Sequence, residues 1–156
     1  MTYFSTISSS HATGNVTGTN YVGGLTGRND YLTLTSCYAT GAVSGDSQVG
    51  GLLGSSYSDS VTSCYATGAV TGSHGSVNVG GFVGSLNNTV ITSCYAAGAV
   101  TGYEDVGGLV GWNDEGAIES CYATGLVTGS GDDVGGLVGL NEGGTITSCY
   151  ATGAVT

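Results

Sequence analysis

The chain has no proline, one cationic residue (Arg28) and only 8% charged residues. With eleven acidic residues and a formal charge of −10, nothing is available to neutralise phosphates, which excludes nucleic acid and anionic lipid as electrostatic partners. Long apolar runs are missing too. The longest, around Val134 to Leu140, is broken by glycines and falls short of the roughly 18 residues needed to cross a bilayer, so membrane insertion is not expected. Met1 to Ser10 has neither the basic start nor the apolar stretch of a signal peptide. A secreted form would therefore be a mature piece or a fragment. The 31 glycines lack a three-residue period and any accompanying proline, which excludes collagen, while 40% hydrophobic residues exclude a disordered acidic tail.

What the chain does contain is a repeat. Ser-Cys-Tyr-Ala-Thr-Gly-Ala-Val recurs with cysteines at Cys37, Cys64, Cys94, Cys121 and Cys149, spaced by 27, 30, 27 and 28 residues. A degenerate copy at Ser10 and His11 precedes them. A Val-Gly-Gly-Leu-x-Gly motif interleaves at Val22, Val49, Val106 and Val134, with Phe82 replacing Leu in the copy at Val79. From the last Gly of that motif to the next Cys is ten residues in every copy. All length variation lies just before the Val: three residues in most copies, four in Ser130 to Asp133, six in Ser73 to Asn78. Such a pattern marks stacked coils with one variable surface turn. The expected fold is all-β, a parallel β-helix (β-solenoid) of about 5.5 coils forming one repeat domain over 1–156, with coils near 1–27, 28–54, 55–84, 85–111, 112–139 and 140–156.

Three short strands fit one repeat: the Val-Gly-Gly-Leu, Thr-Ile-Thr-Ser and Tyr-Ala-Thr-Gly-Ala-Val-Thr pieces, the last two able to run together. The glycines at fixed phases are expected to mark bends. Alternation puts Cys, Ala, Gly and Val inward, with the row Ile7, Leu34, Ile91, Ile118 and Ile146 and the row Leu25, Leu52, Phe82, Leu109 and Leu137 completing a thin interior. At the Gly-Gly pair a bend can break the period of two. Outside lies a ladder of Tyr38, Tyr65, Tyr95, Tyr122 and Tyr150, flanked by Thr40, Thr67, Thr124 and Thr152 and by Thr71, Thr101, Thr128 and Thr156. Stacked rows of this kind stabilise a sheet in their own right. They are also the candidate surface for a glycan or a partner; an ice-like surface is set aside because bulky Tyr interrupts the Thr array.

No chemistry converges. Five cysteines at one phase, with no local pairs, read as buried free thiols acting as small hydrophobes; parallel Cβ directions suit neither disulfides nor a tetrahedral metal site. Acidic residues cluster at corners, Asp46, Glu104, Asp105, Asp132 and Asp133 in the variable turn and Asp30, Asp59, Asp114, Glu115 and Glu142 in the constant one. They serve solubility, with weak Ca²⁺ binding as the only cofactor expectation. His11 and His74 stand in unrelated contexts, and no enzyme is expected.

The run Val-Gly-Gly-Leu-Val-Gly followed by Trp112-Asn113 or Leu140-Asn141, and then Ser-Cys-Tyr-Ala-Thr-Gly-x-Val-Thr-Gly, resembles the GLUG repeat across essentially the whole chain. The resemblance implies a β-solenoid repeat region of large bacterial surface or secreted proteins, among them adhesin-like proteins and some IgA-specific metallopeptidases. It carries over no catalytic residue, because the peptidase His-Glu-x-x-His motif is absent.

Six copies of the Cys-Tyr segment enclose five of the Val-Gly-Gly segment, with no helix or charged segment capping either end. The expectation is an extracellular structural element, either a stalk among neighbouring repeats of a longer chain or a subunit joining head to tail through Met1, Tyr3, Phe4, Ile7, Cys149, Ala151 and Val155. The alternative is a binding module for a glycan or host protein.

Overall fold

In the computed structural model, which describes residues 5–156, the chain coils into stacked turns of parallel strands with no helix. Met1, Tyr3 and Phe4, expected at an end-to-end contact, lie outside the described residues. Each turn visits four sheets. The first holds Ser5–Ser8, Leu32–Thr35, Ser60–Thr62, Val90–Thr92, Ala117–Glu119 and Thr145–Thr147, and the second His11–Ala12 and five Tyr-Ala pairs from Tyr38–Ala39 to Tyr150–Ala151. The third collects the Val-Thr-Gly and Val-Gly segments, continuous in Val43–Gly50 and Val70–Gly80; the fourth holds Thr26–Asp30, Leu53–Tyr57, Val83–Asn87, Val110–Asp114 and Val138–Glu142. Equivalent residues of successive copies sit over one another, as in the column Ile7, Leu34, Val61, Ile91, Ile118, Ile146.

The three-strand unit expected from the sequence is thus corrected. Tyr-Ala-Thr-Gly-Ala-Val-Thr does not run straight but divides between the second and third sheets, and Val-Gly-Gly-Leu divides between the third and fourth. The inward parity of Cys, Ala, Gly and Val holds nonetheless, with Cys64, Ala66 and Val70 all buried.

Glycines stand at bends, as expected: Gly41, Gly68, Gly98 and Gly125 between the second and third sheets, and Gly24, Gly51, Gly81 and Gly108 between the third and fourth. Other corners are turned by non-glycine residues with left-handed backbone: Ser36, Ser63, Ser93, Ser120 and Ser148 at φ 52–55° between the first two sheets, and Tyr21, Gln48, Asn78, Asp105 and Asp133 at φ 51–58° before each inward Val. A third set, Tyr31, Ser58, Asn88 and Glu115, turns from the fourth sheet into the first. Only Gly75, inside the six-residue insertion, and Gly143 have positive φ among the described glycines. The others sit where backbone meets backbone: a Cβ on Gly51 would strike the Gly81 carbonyl and stand 2.8 Å from the Ala66 Cβ.

This Gly and Ala waist splits the interior, which had been expected to be single, into two cores. One contains the Ile/Leu column, the cysteines, the Ala row and Leu52, Phe82 and Leu109; the other is built from Val43, Val70, Val100 and Val127 facing Val22, Val49, Val79 and Val106. Leu53, Val83 and Val110 join the first core directly after Leu52, Phe82 and Leu109, so two consecutive residues point inward where the bend breaks the period. Ile146 and Val155, inward by phase, are 43% and 46% exposed because no coil covers them.

Candidate functional site

The Tyr ladder forms as expected. His11, Tyr38, Tyr65, Tyr95, Tyr122 and Tyr150 stack with ring centroids 4.8–5.1 Å apart and planes within 1–8° of parallel. Burial pushes the Tyr95 hydroxyl's pKa up, with the neighbouring Tyr122 and Tyr65 adding to it. Thr40, Thr67, Thr124 and Thr152 are exposed beside the column, with Ala97 interrupting them. Stacking has a chemical consequence. Each ring face is covered by the next ring, so the column offers ring edges and hydroxyls to a ligand rather than the faces on which a sugar would stack. Free faces remain only at the ends, on the 54% exposed Tyr150 and on His11.

Inside, the cysteines are free thiols packed in the first core, as expected, and they also carry hydrogen bonds. The left-handed Ser before each Cys turns the Cys N–H into the interior, where the sulfur of the next coil accepts it: Cys37 to Cys64 at 3.3 Å, Cys64 to Cys94 at 3.4 Å, Cys94 to Cys121 and Cys121 to Cys149 at 3.3 Å. Each thiol donates in turn to the carbonyl two residues before it, as Cys94 does to Thr92 at 3.3 Å. Ser10 keeps the donor role with its hydroxyl, 2.9 Å from the Ser8 carbonyl. All five thiols are free; burial pushes Cys37 and Cys149 up, and Cys94 is raised by its hydrogen-bonded neighbours Cys121 and Cys64 as well as by burial.

Asp59, expected among the solubilising corner acids, is 5% exposed. Its carboxylate accepts the Leu32 N–H at 2.6 Å and the Ser56 hydroxyl at 2.5 Å; burial pushes its pKa up against those two bonds. It replaces the inward residues Leu32, Thr89, Gly116 and Gly144 of the other coils. No signal in the repeat pattern marks it, because the position is variable. The remaining acids do face outward, and Asp105 is raised to about 6 by partial burial and by Glu104, Asp133 and Glu142. Among the described residues no group of three or more His, Cys, Asp or Glu is arranged to hold a metal ion.

An open groove of about 270 Å³ lies outside the third sheet, lined by Thr17, Ser44, Thr71, Asp46 and Ser73. Thr17 and Ser44 share a 3.0 Å hydrogen bond, and the Ser73 hydroxyl donates to Asp46 at 2.6 Å. Ser73 opens the longest insertion, so part of the groove's lining belongs to the variable turn. Ile7 and Cys149, expected at an end-to-end contact, are half-buried against the first core at opposite ends, while Ala151 and Val155 are exposed.

The model of the GLUG motif matches residues 18–44, 45–71, 102–128 and 130–156. The coil between them, with the six-residue insertion, falls outside the matched segments. No curated protein matches the chain. No solved structure matches it.

Proposed function

Because the chain belongs to the GLUG-motif family, which covers more than half of it, we propose that it is a structural repeat element of an extracellular bacterial surface protein, a rigid stalk without chemistry of its own. One observation carries this reading: successive coils pair strand on strand, in parallel, in all four sheets across the described residues, with a register shift in the third sheet between Gly72 and Val77 at the insertion. A hydrogen-bonded column of this kind resists bending, and its coil length varies only at one turn.

Small-angle scattering tests the stalk: duplicating residues 85–111 should lengthen a straight rod by about 4.8 Å per added coil. Round or bent particles of unchanged length refute it. Antibody labelling of intact producing cells tests the surface location. A module for a glycan or host partner is favoured by the hydroxyl-lined groove beside Asp46; saccharide binding on a glycan array, lost in Asp46→Ala, would support that reading instead.

A further inference from the structure

We propose that the outer face of the first sheet binds the water lattice of ice. The sequence argument against an ice-like surface was that Tyr interrupts the Thr rows. The structure removes it, because the left-handed serines turn the Tyr column onto the second sheet. Two other columns are left alone on the first. One runs through Ser8, Thr35, Thr62, Thr92 and Thr147, interrupted at Glu119; the other through Thr6, Thr33, Ser60 and Thr145, with Val90 and Ala117 between. All of these side chains are exposed or half-buried.

Three properties point to a crystalline water surface. The first is order. All six strands of this sheet, from Ser5–Ser8 to Thr145–Thr147, pair in parallel with no register shift, so each column repeats at one strand spacing. The second is spacing: strands about 4.8 Å apart, and residues i and i+2 about 6.7 Å apart, form a rectangular grid close to the repeats of the ice prism face. The third is chemistry. Of eleven acidic residues only Glu119 lies on this face, and the single cation, Arg28, is elsewhere. Thr offers a hydroxyl for a lattice position and a methyl that excludes liquid water, on a side chain stiff at χ1, so the array is ordered before it meets the surface. A crystalline polysaccharide fits less well, since this face has no aromatic residue to stack on a sugar ring.

The test is ice-recrystallisation inhibition and partition of the fluorescently labelled chain into growing ice. The chain should be active, Thr62→Lys or Thr33→Lys should abolish activity, and Thr101→Lys on the third sheet should leave it unchanged. Glu119→Thr should lower the effective concentration several-fold. Circular dichroism and melting confirm that each variant keeps its β-structure, and either lysine variant suffices if the other does not fold. An inactive wild-type chain, equal loss in Thr62→Lys and Thr101→Lys, or Thr62-dependent pull-down by chitin or cellulose without ice activity would overturn the proposal. None of these outcomes touches the stalk reading, whose own test is rod length.

Discussion

A repeated residue is informative when its side chain replaces something the backbone lacks. The Cys N–H points away from any carbonyl of the neighbouring coil, and the sulfur of the following Cys accepts it. Cys94→Ala would leave the buried Cys64 N–H without a partner, at a cost of about 1–3 kcal/mol. Cys94→Ser should cost less, because Ser10 already shows a hydroxyl making the thiol's bond at this phase. Urea unfolding of the two variants gives the order; equal losses would mean that volume, not hydrogen bonding, selects Cys. Asp105 makes a second residue-scale prediction. Its pKa is raised to about 6 in the fold, so the folded state holds the proton more tightly than the unfolded chain and stability falls as pH rises from about 4 to 6. Asp105→Asn should therefore raise the melting temperature at pH 7 and change little at pH 3.5. With the side chain half-buried and partly screened by solvent, the gain is at most about 1 kcal/mol. Asn also tolerates the left-handed backbone at this position.

Between the fourth and first sheets the coils differ in paired residues. Successive copies hold Asn29 with Leu32, Ser56 with Asp59, Leu86 with Thr89, and Asn113 with Gly116. Each pair fills one corner. A Cβ on Gly116 would enter the space held by the Asn113 side chain and stand 2.7 Å from Leu86 Cδ2, while Asn113 Nδ2 reaches the Gly116 carbonyl at 3.3 Å. Gly116→Thr alone should cost about 1–3 kcal/mol by overpacking. Adding Asn113→Leu, which recreates the Leu86 and Thr89 pair, should recover part of that loss, a coupling that a double-mutant cycle measures. This corner shows where sequence reading stopped. Alternation placed Cys, Tyr, Ala, Thr and Val on the correct faces because the bend between the second and third sheets keeps the period of two, burying Cys64, Ala66, Gly68 and Val70 in turn. It missed Leu53 and the burial of Asp59 because a corner breaks that period and paired substitutions hide a common position. Glycine's fixed phase did mark bends, at places where backbone also approaches backbone closely, but it gave no sign of the corners that Ser, Asn, Asp and Tyr turn with left-handed backbone. Of the surfaces, the Tyr column was legible. The Thr face of the first sheet was not, since separating it from Tyr requires knowing where the chain bends.

A stack of near-identical coils has no centre, and each coil contacts chiefly the ones above and below. Stability should therefore be a sum over coils and interfaces rather than a property of one core. The molecule permits a direct test, because residues 85–111 span one full period and their removal joins Gly84 to Trp112, the same step as Gly111 to Trp112. The rows survive the deletion. Leu86 and Phe82 show why it should be tolerated: Phe82 stays, and Asn113 comes to lie next to Ser56 in the row that Leu86 had separated. The shortened chain should keep its β-signal per residue and unfold at a lower urea concentration, with a smaller m-value in proportion to the surface lost. Inserting a second copy of 85–111 should move both quantities the other way by a similar step. Loss of all structure on deleting one coil would instead show that the two parallel cores fold as one cooperative unit. The −10 charge adds a condition: coils stacked with one cation among eleven acids repel one another, so the increment per coil should grow with added salt as screening shortens that repulsion.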